Sequence, residues 1–145
     1  MSVGKLRVEG YKKALEGAGI KLDEKIIILS ETEEDFDLKT NDFLDKNKVD
    51  AIFAVDEHAS VMAMKMAVKK GLKIPEEISI IGFADGVWSR RMTPSLSTVS
   101  QHGPEIGAEA TKLLIERLEN KEENYGYKTS VIKTELRQRD STKKL

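Results

Sequence analysis

The residues best suited to holding a polar small molecule stand where short apolar runs end. Ile26-Ile27-Ile28-Leu29 runs into Ser30-Glu31, Ala51-Ile52-Phe53-Ala54-Val55 runs into Asp56-Glu57, and Ile78-Ser79-Ile80-Ile81 continues through Gly82-Phe83 to Ala84-Asp85. A carboxylate accepts two hydroxyl hydrogens, and an arginine fork such as that of Arg7 donates to two oxygens in one plane. These groups suit a polyhydroxylated ligand. Each also has a structural alternative. Asp56 directly precedes a helical pattern and could be its N-cap, or it could serve binding or contact between lobes. Glu31 and Glu57 read as solvated loop charges. Arg7 stands near a helix start, where a cation is mildly unfavourable, so either a partner or plain exposure would account for it. Trp88, the single tryptophan, lies in a loop rich in Gly, Ser and Arg; it could stack on a ligand, pack at a subunit interface, or cap the local core.

Other chemistries find no support. GxSxG, P-loop and GxGxxG patterns are all missing, which removes the common hydrolase, nucleotide and dinucleotide signatures. The sequence has no cysteine, and its two histidines, His58 and His102, are far apart. No metal site, cofactor or catalytic constellation is therefore expected. With 24 Lys+Arg against 25 Asp+Glu, the net charge is -1. There is no basic field to draw the chain onto nucleic acid, so any DNA contact is expected outside it. The opening MSVGKLRVEG lacks the apolar core of a signal peptide, and the longest apolar runs are strand-sized. The expected location is the cytoplasm.

The elements that would position these groups follow from periodicity. Val8, Tyr11, Ala14, Leu15 and Ala18 recur at helical steps from Arg7 to Ala18, with Gly19 as a left-handed cap. The three apolar runs are too short for helices and mostly lack polar alternation, which fits strands covered on both faces. Between them lie a polar helical pattern from Leu38 to Lys46 and a clearer one carrying Ala59, Met62, Ala63, Met66 and Ala67. The β-α-β-α-β order predicts an α/β fold: a three-layer, doubly wound parallel sheet with right-handed crossovers. Leu96 to Val99 reads as an isolated strand. Pro104 opens a helix whose stripe is Ile106, Ala110, Leu113, Leu114 and Leu118, Asn120 to Tyr127 is a polar loop, and Thr129 to Leu136 is an edge or outlying strand. Such domains usually begin with a strand, and this sequence begins with a helix, so it reads as part of a longer domain.

Five segments, in order, resemble the LacI/GalR family of transcription regulators. Arg7-Val-Glu-Gly10-Tyr11-Lys-Lys-Ala14-Leu15 is similar to R-x-x-G-[YF]-x-x-A-L. Val49-Asp50-Ala51-Ile52-Phe53-Ala54-Val55-Asp56-Glu-His-Ala59 resembles P-D-A-[IV]-F-x-x-N-D-x-x-A. Gly71 to Phe83 resembles G-x-x-I-P-x-D-[IV]-S-[IV]-[IV]-G-[FY], Pro94 to Gln101 resembles P-x-L-T-T-[IV]-x-Q, and Leu136 to Thr142 resembles L-x-x-R-x-S-T. The resemblance covers nearly the whole chain.

What the resemblance implies is a periplasmic-binding-protein-like lobe of type I. Residues 1–93 would form the C-terminal lobe of an effector-binding domain. Residues 94–127 would give a strand and a helix to the N-terminal lobe, and 128–145 would return to the C-terminal lobe. The helix from Pro104 to Leu118 would then not fold back onto the main sheet. The DNA-binding headpiece would lie outside this sequence. A small effector, a carbohydrate or related metabolite, would bind between the lobes and bias DNA binding allosterically. The family's ligand arginine falls on Arg7, and its effector-binding aspartate falls on Ala84, with Asp85 adjacent. Its asparagine falls on Val55, leaving Asp56, and Phe36 is the candidate for its stacking aromatic. Homodimers would pair through Met62, Met66 and the Trp88 loop. Two other readings are a periplasmic sugar-binding protein, which would need an export signal, and a phospho-acceptor receiver with Asp56 ending a strand. The receiver would need a lysine late in the sheet, and Ile80 to Ala84 offers none.

Overall fold

Three parallel strands, Ala51–Ala54 (β1), Ser79–Phe83 (β2) and Ser97–Ser100 (β3), lie side by side, and Glu135–Arg137 (β4) pairs antiparallel with β3. The structure is a computed structural model that describes residues 3–120 and 126–144. Most of the polar loop expected between Asn120 and Tyr127, and Leu145 of the tail, lie outside the described residues. The helices are Val3–Gly17 (α1), Glu33–Lys46 (α2), Glu57–Lys69 (α3), Val87–Arg91 (α4) and Gly103–Glu119 (α5).

Alternate residues of a strand face opposite sides of the sheet, and here the two sides are covered differently. Ile80 and Gly82 are buried toward α3, whose Ala63, Met64 and Ala67 form one core with Ile78, Ile80 and Leu96. Phe36 and Leu44 of α2 pack against this core from outside. Burying side chains such as Ile78, Ile80 and Leu96, each at most 2% exposed, stabilises the fold by roughly 1.5–3 kcal/mol apiece. The backbones of β2 and α3 approach closely because residue 82 has no side chain. A Cβ there would stand 2.3 Å from Ser60 Oγ and 3.3 Å from a Leu96 methyl. On the other side Phe53 meets Tyr11 of α1, their ring centroids 6.3 Å apart. The result is three layers: α1, the sheet, and the α2–α3 pair.

The tail returns as a clasp. Ser141, fully buried, accepts the Ile80 amide on its carbonyl (2.8 Å) and donates its own amide to Ser95 O (2.9 Å). Its hydroxyl donates to Ile80 O (2.5 Å) and accepts from the Ser97 amide (2.8 Å), so one residue satisfies backbone groups on both β2 and β3. Arg139 reaches Leu96 O (2.6 Å) and Asp85 Oδ1 (2.6 Å), and Arg137 donates to Asp85 Oδ2. Thr98 Oγ1 also donates to Asp85 Oδ1, at 3.0 Å. The Asp85 side chain is only 4% exposed. Burial works to raise its carboxyl pKa, but the hydrogen bonds from Arg139, Thr98 and Arg137 and the charge of Arg139 outweigh burial and hold it down to about 2.

Several expectations change. Ile26 to Leu29 is not a strand: Glu24–Ile26 is a 3-10 turn capped by Asp23, and Leu29 is 71% exposed. An apolar run becomes a strand only when a neighbour takes its backbone groups, and among the described residues nothing pairs with it; Leu29 O accepts instead from Lys39 Nζ (2.7 Å). The strand at 96–99, expected in another lobe, is instead the third strand of this sheet: it pairs parallel with β2, Leu96 joins the core, and the Ser97 amide is held by Ser141. The three strands β1 to β3 are parallel as expected, and the antiparallel β4 at the edge makes the sheet mixed. Helix α1 begins by Val3, so Arg7 sits in its second turn. The stripe of α5 is not covered: none of its residues is buried, and Ile106, Leu114, Ile115 and Leu118 are 45–75% exposed.

Two outcomes follow. Gly82→Ala should lower unfolding free energy by about 1–3 kcal/mol, the usual cost of overpacking, and an unchanged urea midpoint would contradict the close β2–α3 approach. The Asp85 carboxyl titrates lower folded (about 2) than unfolded (3.8). Its contribution, roughly 2 kcal/mol by linkage, is therefore complete above the unfolded value and lost as pH falls from about 4 to 2. Thermal unfolding across that window should show a shallower acid decline for Asp85→Asn, whose midpoint at neutral pH should already be lower.

Candidate functional site

Parallel strands all point their carboxyl ends to one edge, and in open α/β sheets that edge is where ligands bind. Here one side chain touches all three ends. Arg7, rising from α1, donates through Nη1 to the carbonyl of Val55, which follows β1, and through Nη2 to Gln101 Oε1 (3.2 Å), which follows β3. Its guanidinium carbon lies 4.2 Å from the ring centroid of Phe83, the last residue of β2. Cation–π contact fixes the plane of the fork, and the two hydrogen bonds fix its rotation. Arg7 is only part-buried and borders an open cleft of about 600 Å3, whose walls include Leu6, Tyr11, Phe83, Gln101 and Ile106. Mostly apolar walls with a few oriented polar groups are the usual makeup of a small-molecule site.

The other candidate residues do not join Arg7 at this cleft. Asp56 is the N-cap of α3, its Oδ1 accepting from the Ala59 amide at 2.7 Å. Ala84 holds a φ of 141°, a conformation that favours glycine, and its amide donates to Val99 O (3.2 Å). Asp85 is tied to Arg137 and Arg139. Phe36 belongs to α2 and packs on the core. Trp88 lies on α4 and is 64% exposed, with Val87 beside it at 54%. Met62 and Met66 are 7% and 3% exposed within the chain, which leaves their side chains little surface to offer a second copy. A core role is what that burial supports.

Gln101, Phe83 and Tyr11 were not among the sequence candidates, although all three fall in the quoted motifs. The signal that could have found them is position. Phe83 and Gln101 each stand at the carboxyl end of a strand-forming run, the same rule that drew attention to the carboxylates. Among the described residues no group of three His, Asp or Glu is placed to hold a metal ion, and no helix is long and apolar enough to cross a membrane.

Comparison with known proteins agrees with this architecture. Residues 2–142 match the periplasmic binding protein-like domain family. The chain is 35% identical over 137 residues to the HTH-type transcriptional regulator MalR of Clostridium butyricum, an alignment covering 93% of this chain and 40% of MalR. A LacI-family regulator from Sanguibacter keddieii superposes with a TM-score of 0.85 at 26% identity, covering 94% of this chain and 52% of that one. The transcriptional regulator CelR in complex with cellobiose superposes at 0.82 with 27% identity, covering 93% and 41%. The chain thus spans less than half the length of the curated relatives it matches. It belongs to the periplasmic binding protein-like domain family, and the proteins it resembles include LacI-family transcriptional regulators.

Proposed function

We propose that this chain is part of the effector-binding domain of a cytoplasmic transcription regulator. It takes a small metabolite, a carbohydrate or a relative of one, at the cleft beside Arg7. The observation that carries the reading is the convergence of three strand ends on one guanidinium bordering an open cleft. The uncovered apolar stripe of α5 supports a second lobe closing over that cleft, with the effector biasing how the two lobes meet. DNA would be bound by a headpiece outside this sequence, in keeping with the balanced charge of the chain.

We further place a homodimer contact at the exposed Val87–Trp88 face of α4. Tryptophan is a frequent interface anchor, and two adjacent large apolar side chains there face solvent. Catalysis has no part in this reading.

A thermal-shift screen of sugars and related metabolites, followed by calorimetry on the hits, tests the assignment. Arg7→Ala should weaken effector binding by about 1.5–3 kcal/mol, the range for a hydrogen bond to a charged group. Trp88→Ala should leave affinity unchanged and shift sedimentation toward the monomer. Parent-like affinity in folded Arg7→Ala would overturn the site.

A further inference from the structure

We infer that the effector of the Arg7 cleft is an anion: a small metabolite bearing a carboxylate or phosphate, not a neutral polyol. This rests on the reading of the cleft as an effector site and adds the charge of its ligand.

The first line of support is the electrostatic state of Arg7. Among the described residues it makes no ion pair; both its hydrogen bonds end on neutral oxygens, the Val55 carbonyl and the Gln101 amide. A guanidinium carries five N–H donors, so most of its donor capacity, and all of its charge, is left over. Leu6, Tyr11, Phe83 and Ile106 wall the space around it, and such walls strengthen an electrostatic contact relative to bulk water.

The second line is a shortage of acceptors. A polyol hydroxyl brings a hydrogen that must be accepted, and carboxylates are the strongest acceptors. Among the described residues no carboxylate lines the cleft: Asp85 faces Arg137 and Arg139 with 4% of its side chain exposed, Asp56 caps α3, and Glu57 lies against Gly86. Ala84 has no side-chain acceptor. An oxyanion has only acceptors to offer and needs only donors, and among the described residues that line this cleft Arg7 is the one charged side chain. Phe83 covers one face of the guanidinium, and its two hydrogen bonds leave three of its five N–H groups for ligand oxygens.

The neutral partner at residue 101 provides the decisive variant. Gln101→Glu would keep Arg7 in place and hand it a carboxylate where the amide oxygen now stands, 3.2 Å from Nη2. Calorimetry on the intact protein, with the lobe proposed to close over the cleft, would compare glucose with glucuronate and glucose 6-phosphate, and would include inorganic phosphate and acetate as bare ions. Circular dichroism would confirm that each variant is folded.

The expected result is that at least one acidic sugar binds roughly tenfold or more tightly than glucose, the margin of a charge-assisted contact. That preference should vanish in both Arg7→Gln and Gln101→Glu. Binding of glucuronate alone, or of the phosphate species alone, would identify which oxyanion is read. Glucose binding through Arg7 as tightly as its acidic derivatives would overturn the charge assignment and leave the effector reading standing. Acidic sugars bound equally well by Gln101→Glu would overturn it too. If no ligand, charged or neutral, bound in an Arg7-dependent way, both would fall.

Discussion

A sheet of parallel strands brings three chain ends to one edge, and something must hold those ends in register where the ladder stops. In this fold that task falls to the Arg7 guanidinium, which bonds to the residues after β1 and β3 and lies on the aromatic ring that ends β2. The arrangement couples α1 to the sheet through a polar contact at the edge, while Tyr11 and Phe53 couple them through an apolar one further in. A group that anchors a helix while facing an open cleft is well placed to report ligand binding to the rest of the fold. Any ligand that engages it also acts on the contacts between α1 and three strands.

The remaining charges near this edge are used differently. Asp85 is buried beneath the two arginines of the returning tail and surrounded by donors, while Ser141 locks the amino ends of β2 and β3. The cluster's stability derives from being paired, since an unpaired carboxylate at 4% exposure would be costly. Arg7 is the contrasting case, with neutral partners and open space beside it. On the proposed reading, a recognition charge differs here from a structural one in pairing and access, not in residue type.

Much of the fold was legible in the sequence because its signals are local. Continuous apolar runs marked β1 and β2, helical spacing marked α1, α3 and α5, and Asp56 carried both a cap and a binding reading, of which the cap is what the backbone uses. What was not legible depends on partners distant in the chain. Ile26 to Leu29 has strand-like composition and no strand beside it, and Leu96 to Val99 looked isolated because its neighbours come from residues 79–83 and 135–137. Asp85 looked available for a ligand because the arginines that engage it lie more than fifty residues away. Gln101 drew no attention as a glutamine, since only the fold brings it to Arg7.

The central claim is that the effector is held by the Arg7 guanidinium at the carboxyl edge of the sheet. The most direct measurement is side-chain NMR of the arginine Nε–H groups during effector titration, with Arg7 assigned by substitution. The account predicts that the Arg7 Nε resonance shifts and saturates at the ligand concentration that saturates calorimetric binding, while the Arg137 and Arg139 signals stay in place. Saturated binding with an unmoved Arg7 signal would contradict it.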